Sequence, residues 1–225
     1  MTCRCMADPE TRLPVVIRDL GLAEYRAVLD LQQRLHTQRR ADEIPDTVLV
    51  VEHPPVITLG SRQSANKLLA SPEDLARRNI DVVGIRRGGG TTAHNPGQLV
   101  FYPILHLQQR HLGISQYVRT LEAIGMELLE GLGLACGRRA GFPGLWVGER
   151  KIASIGVRVS RFVTRHGMAI NIQNDLDIFD VMVPCGLDAV TMTSVSKETG
   201  QTWDMGEVKT RLATSLTHHY ENAKP

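Results

Sequence analysis

Residues 86–103 constrain the fold more than any other stretch of the chain. They read Arg86-Arg87-Gly88-Gly89-Gly90-Thr91-Thr92-Ala93-His94-Asn95-Pro96-Gly97-Gln98, followed by Leu99-Val100-Phe101-Tyr102-Pro103. Three consecutive glycines let the main chain turn where a Cβ would clash, and let it approach a ligand closely. Thr92, His94, Asn95 and Gln98 add hydrogen-bonding groups, and Pro96-Gly97 reads as a turn. Apolar runs flank the loop, Val82-Val83-Gly84-Ile85 before it and Leu99–Tyr102 after it. A strand–loop–strand setting excludes the dinucleotide fingerprint, whose glycines open a helix, and no Gly-Lys-Ser/Thr of a phosphate loop is present. Two readings remain at this point: a glycine-rich hairpin, or one wall of a binding site.

The totals narrow the class. A chain of 225 residues can bury a sizeable core. With 26 basic and 24 acidic residues the net charge is +2, too even for a general nucleic-acid binder. No apolar run approaches the roughly 18 residues of a membrane span. The N-terminus has no apolar secretory core. Four cysteines do not make a disulfide framework, so a reducing, cytoplasmic location is the expectation. Cys3 and Cys5 sit in a terminal tail, and no function is assigned to them.

Periodicity then places the elements. Residues 1–13 read as a flexible tail. Pro14–Ile17 reads as a strand, and Leu22 to Arg39 as a helix with Leu22, Tyr25, Val28 and Leu35 on one face. Thr47–Val51 and Val56–Gly60 are strands separated by the breaker Glu52-His53-Pro54-Pro55. Ser71-Pro72-Glu73-Asp74 starts a short helix ending near Arg78-Asn79. Ser115 is the expected cap of a longer helix, with Val118, Leu121, Ile124, Leu128 and Leu132 as its apolar stripe. Gly144–Val147 and Lys151–Val159 read as a hairpin, and Phe162–Ile172 as one or two further strands. Asp204 to Glu207 resembles a capping box opening a last helix with Val208, Leu212 and Leu216 inward. Nothing resembling a linker or a repeat divides the chain. The fold class expected is α/β (α+β): a single domain over residues 14–225, with a mixed β-sheet flanked by helices.

Few residues carry chemistry. Cys185 lies in Val183-Pro184-Cys185-Gly186-Leu187, where proline fixes the backbone on one side and glycine frees it on the other. It reads either as a small core hydrophobe or as a presented thiol. Lys151 heads a strand whose alternate residues are apolar, so it reads either as a solvated hairpin lysine or as a desolvated amine able to hold a thiolate. His94 and His166 are the imidazole candidates, while His53, before two prolines, reads as shaping a turn. Cys136 reads as packing. The arginines 138, 139, 158, 161 and 165 form either a solvated surface or a face for an acidic protein.

Taken together, six stretches resemble one family. Arg87 to Ile104 resembles the signature of the lipoyl(octanoyl) transferases. Glu52–Gly60, Pro143–Val147, Lys151–Val157, His166–Asn171 and Pro184-Cys185-Gly186 are similar to its other conserved segments, and the likeness spans about residues 14 to 220. The resemblance implies a biotin/lipoate protein ligase-like catalytic domain. It implies transfer of an octanoyl group from octanoyl-acyl carrier protein to a lysine of a lipoyl domain, the first step of endogenous protein lipoylation. The acceptors implied are 2-oxoacid dehydrogenase E2 subunits and the glycine cleavage H protein. Cys185 would carry the acyl group and Lys151 would activate it. The acyl site would map onto Arg87, Gly88, Gly89, Gly90, Thr91, Thr92, Ala93 and His94, with Ser154, Ile155, Gly156, His166, Gly167 and Met168. Backbone N–H groups of Ser154–Gly156 and near Gly186 are the oxyanion candidates. No cofactor, metal or nucleotide is called for.

This chain departs from the family at two positions. Ala93 replaces an aromatic residue, and Asn95 replaces the glycine of His-Gly-Pro-Gly. The expectation is that Ala93 reshapes the acyl pocket and that Asn95 tolerates an unusual backbone conformation. Two other readings stay open: an ATP-dependent lipoate or biotin protein ligase on the same fold, which needs no cysteine nucleophile, and a non-catalytic acyl-binding protein.

Overall fold

The computed structural model describes residues 14–183 and 190–222. The expected tail 1–13, with Cys3 and Cys5, lies outside the described residues, as does Cys185.

Among the described residues, ten strands make two sheets. β1 (Val15–Leu22), β2 (Asp46–Glu52), β6 (Gln98–Ile104), β7 (Gly137–Arg139), β8 (Phe142–Val147), β9 (Arg150–Ser160) and β10 (Val163–Asn171) form the larger. Its order is β1-β2-β6-β10-β9-β8-β7, with β1 parallel to β2 and the other pairs antiparallel. The smaller sheet, β4-β3-β5, is built from β3 (Val56–Leu59), β4 (Asp81–Gly84) and β5 (Thr92–His94). The two apolar runs around the glycine loop therefore belong to different sheets, β4 to the small one and β6 to the large one. The glycines join β4 to β5, which flank β3 in the small sheet, so they form no hairpin turn; residues 95–97 then cross to β6 in the large sheet. β5, three residues long, has no apolar alternation from which to read it.

Alternation along the central strands sorts side chains to the two faces of the large sheet. Val48, Val50, Leu99 and Phe101 join Leu121, Ile124, Leu128, Val208, Leu212 and Leu216 in one core, under α3 (Ile114–Gly131) and α5 (Met205–Thr217). Leu49, Val51, Val100 and Tyr102 face the opposite way, against Val28 and Leu35 of α1 (Tyr25–Arg40). That second face carries the site. Arg39 and Arg110 both clasp the fully buried carboxylate of Asp46, tying the end of α1 to the start of β2.

Two boundaries differ from expectation. Leu22 ends β1 instead of lying on the helix stripe, because α1 begins at Tyr25. The cap of α3 is Gly113 and not Ser115: Gln116 Oε1 accepts from the Gly113 N–H at 2.8 Å, starting the helix a turn-fraction earlier. Tyr117 is fully buried in that stripe and Val118 only half-buried. The caps expected at Ser71 and Asp204 are present, accepting from Asp74 N and Glu207 N.

Candidate active site

A slot lies between the second face of the large sheet, the N-terminal turn of α1 and the glycine loop. Arg87, Gly89, Gly90, Thr92 and His94 form one wall, and Ser154–Gly156 with His166–Met168 form the opposite one. All the expected binding residues line it except Gly88, Thr91 and Ala93. Each exception has a physical reason. The Gly88 N–H is spent on Val157 O at 3.0 Å, the bond that holds the loop against β9. Thr91 is fully buried and its hydroxyl accepts from Lys67 N at 3.1 Å. Ala93 sits between two lining residues of β5, so alternation turns it to the other side. There it packs with Ile57, Phe179, Met182 and Met192. The expectation that position 93 reshapes the slot directly is thus corrected.

Tyr25, Val100, Tyr102 and Ala169 also line the slot. Tyr25 comes from a helix far away in sequence, where it reads only as part of an apolar stripe. Val100 and Tyr102 share an inward face that alternation on β6 reveals once the other face is assigned to the main core.

The close approach of the two walls depends on Gly156. A Cβ built there would lie 2.7 Å from Arg87 Cδ and 3.2 Å from Gly88 O. Arg87 is nearly buried, and its guanidinium donates to Thr58 O and Oγ1 at 3.0 and 2.8 Å and to Gly88 O at 3.1 Å. Its charge contributes to the depressed basicity of both His94 and His166.

The imidazoles are neutral, and their tautomers follow from their partners. His53 Nδ1 donates to Ala23 O at 2.7 Å, so its Nε2 accepts from the Tyr102 hydroxyl at 2.8 Å. Gln98 gives both amide hydrogens away, to Ala93 O and to Asn171 Oδ1, so its oxygen accepts from His94 Nδ1 at 2.7 Å. That leaves His94 Nε2 as an acceptor on the slot side of β5. Asn171 in turn donates to Thr193 O at 2.9 Å. Burial lowers the pKa of His53 to about 4 and of His94 and His166 to about 3. Tyr25 stacks on His94 with ring centres 5.7 Å apart, and burial pushes its phenol above the ordinary value.

His166 stands apart. Its φ of +58° places a non-glycine residue in the left-handed region, and its N–H donates to Gln32 Oε1 at 2.8 Å. Its Nδ1 is buried without a hydrogen-bond partner. Backbone strain and an unpartnered buried polar atom thus coincide at a residue that lines the slot.

Lys151 is buried, not a solvated hairpin lysine. Its Nζ donates to Pro143 O at 3.2 Å and lies 5.2 Å from the centre of the Trp146 ring. Gly144 makes room for its stem, since a Cβ there would sit 3.1 Å from Lys151 Cε. Lys151 does not line the slot; it lies three residues up β9 from Ser154, about 10 Å along the strand. Its N–H donates to Thr191 O and its carbonyl accepts from Thr193 N, both at 2.9 Å. On the other side of the chain segment that contains Cys185, Val183 N donates to Lys67 O at 3.0 Å.

Asn95 does not use an unusual backbone conformation, because its φ is not positive. Its side chain works instead: Nδ2 donates to Asp175 O at 2.7 Å and Oδ1 accepts from Asn174 Nδ2 at 3.0 Å. Cys136 packs half-buried against the main core, and burial raises its thiol pKa to about 11. That agrees with a packing role.

The fold, a mixed sheet layered with helices, is shared with solved lipoate protein ligases. A bipartite lipoate protein ligase from Thermoplasma acidophilum superposes with a TM-score of 0.70 at 15% identity, over 92% of this chain and 84% of that one. The chain matches the family described as "Lipoyl protein ligase A/B catalytic domain" over residues 24–217. It is 45% identical over 203 residues to an octanoyltransferase of Syntrophobacter fumaroxidans, covering 90% of this chain and 89% of that protein. It is 41% identical over 206 residues to an octanoyltransferase of Desulfovibrio desulfuricans, covering 91% and 86%. The chain belongs to the lipoyl protein ligase A/B catalytic domain family, and it is an acyltransferase. Among the described residues no helix is long and apolar enough to cross a membrane.

Proposed function

We propose that the chain transfers an octanoyl group from octanoyl-acyl carrier protein to a lysine of lipoyl domains, through a thioester on Cys185. The observation that carries this reading is the slot. Its apolar lining is Val100, Ala169 and the rings of Tyr25 and Tyr102, and polar groups converge on it from the glycine loop and His166. That combination suits an unbranched acyl chain ending in a carbonyl. The likeness to octanoyltransferases along nearly the whole chain favours this reading over an ATP-dependent ligase.

The chemistry balances without a cofactor. Lys151, as the neutral amine, takes the Cys185 proton. The thiolate attacks the donor carbonyl, the bond to the carrier sulfur breaks, and that sulfur leaves with the proton held on Lys151. The acceptor lysine then attacks the acyl-cysteine as a free amine, forming the amide and releasing the Cys185 thiolate. Lys151 receives the amine's proton and the pair is restored. Splitting the transfer in two exchanges one thioester for another before the amide forms. Backbone N–H groups of the Ser154–Gly156 wall and of the segment after Cys185 are assigned to the oxyanion. Slot residues Arg87, Gly89, Gly90, Thr92 and His94, with His166–Met168, are assigned to the acyl chain. The acceptors assigned are the E2 subunits of 2-oxoacid dehydrogenases and the glycine cleavage H protein, and the setting is the cytoplasm.

The test supplies octanoyl-acyl carrier protein and a lipoyl domain, with no nucleotide present. Octanoylation of the domain is the expected result. Transfer that starts only when ATP and free octanoate are added would establish the ligase reading instead.

A further inference from the structure

A second cleft adjoins the slot and shares His166 with it. Arg86, Arg158, Arg165 and Gln33 complete its polar lining. Arg158 and Arg165 are direct cross-strand partners on β9 and β10, so their side chains rise from the same face. The bond from Gly88 N to Val157 O brings the loop that carries Arg86 against the same strand.

Like charges placed opposite each other in a sheet repel. Here there are three, and among the described residues none of them pairs with a carboxylate. By contrast, Arg26, Arg39, Arg110 and Arg150 each hold one. Arg165 is half-buried, and its Nε is enclosed without an acceptor. Burial, then Arg158 and Arg86, make it a weaker base than an ordinary arginine. After burial, Arg87, Arg165 and Arg158 help to suppress protonation of His166. The fold thus concentrates positive potential at a cleft and, among the described residues, pairs none of these three arginines with a carboxylate.

We propose that Arg86, Arg158 and Arg165 form a binding site for a phosphoryl anion. Guanidinium groups present planar pairs of N–H donors that match phosphate oxygens two at a time, and a cluster of them in a concave, partly desolvated site selects phosphate over a single carboxylate. An anion bound there lies behind the imidazole that walls the acyl slot, so its charge offsets the arginine field on His166. The phosphoryl group has two sources, the phosphodiester arm of a carrier protein or a free phosphate ion. The site itself stands on the arginine geometry and does not depend on the octanoyl-transfer reading.

Binding is measured by calorimetry at constant ionic strength with inorganic phosphate, 4′-phosphopantetheine and pantetheine, on the full chain and on R158Q, R165Q and the double variant. The full chain is expected to bind both phosphorylated probes and to ignore pantetheine, and the double variant to bind them at least tenfold more weakly. A tenfold preference for 4′-phosphopantetheine over inorganic phosphate assigns the site to a carrier arm; equal affinity assigns it to a free anion. Either result upholds the site. In phosphate-free buffer R158Q should melt no lower than the full chain, since it removes repulsion. If the double variant fails to fold, R86Q on the exposed loop serves the same comparison. Absence of phosphate binding by the full chain, or undiminished binding by folded variants, overturns the proposal. So does loss of transfer from the carrier protein in those variants without any phosphate binding by the full chain, which would make the arginines a contact for acidic side chains.

Discussion

Lys151 and Met192 face each other across an isolated parallel β-bridge. The buried lysine at the start of β9 is thereby fixed to the chain that follows the segment bearing Cys185. Two backbone hydrogen bonds of 2.9 Å, from Lys151 N to Thr191 O and from Thr193 N to Lys151 O, make the attachment. The Asn171–Thr193 bond extends it to Gln98 and His94 in the slot.

If Lys151 is the proton acceptor of the reaction, its removal acts on the thiol and not on the fold. Lys151→Ala should lower octanoyl transfer by about 10²–10⁴-fold, the usual range for a lost general base. It should also slow alkylation of Cys185 by iodoacetamide at neutral pH. Lys151→Arg keeps a charge but cannot accept a proton, so it should preserve alkylation better than it preserves transfer. Alkylation rates and single-turnover transfer on the two variants check this.

Acid should unfold the protein earlier than its carboxylates alone require. His53, His94 and His166 have folded pKa values lowered to about 4, 3 and 3. Each is neutral in the fold and has an ordinary value near 6.5 when unfolded. The stability tied to their neutral forms is present above about pH 6.5 and lost as pH falls toward the folded values. Between those limits the unfolded chain takes up as many as three protons that the folded chain refuses. The slope there reaches at most about 4 kcal/mol per pH unit. Urea unfolding at pH 7, 6 and 5 should show midpoints that fall steadily, and a flat profile would contradict the buried neutral imidazoles.

The two walls of the slot meet at Gly156 and Arg87. Gly156→Ala places a methyl 2.7 Å from Arg87 Cδ, forcing that side chain or β9 to shift. The expected outcome is a fall of about tenfold or more in transfer of octanoyl chains, with a smaller effect on the melting temperature than on rate. Chain-length profiles on the variant check it: shorter acyl groups should be less affected.

The sequence shows the parts of the site that are local, and hides the parts that depend on how distant strands are arranged. Arg87, Gly89, Gly90, Thr92 and His94 are legible because glycines, arginines and a histidine are concentrated in one stretch. Ser154–Gly156 and His166–Met168 are legible through the family resemblance. Tyr25 is not, since a tyrosine on a helix stripe looks the same whether it faces a core or a slot. Ala93 misleads for the opposite reason: its neighbours line the slot, but β5 is too short for its alternation to be read, and the strand turns Ala93 away. The division into two sheets is equally hidden, because it depends on where β3 finds its partners. The burial of Lys151 reflects the Gly144 opening and the Trp146 ring, both of which reach it through pairing with β8.

The central claim is a covalent octanoyl group on Cys185. The most direct measurement is the intact mass of the protein after incubation with octanoyl-acyl carrier protein, without ATP and without acceptor. The account predicts one octanoyl adduct, absent in Cys185→Ser and discharged when a lipoyl domain is added. Full transfer to the lipoyl domain by the Cys185→Ser variant, with no adduct at any time, would contradict it.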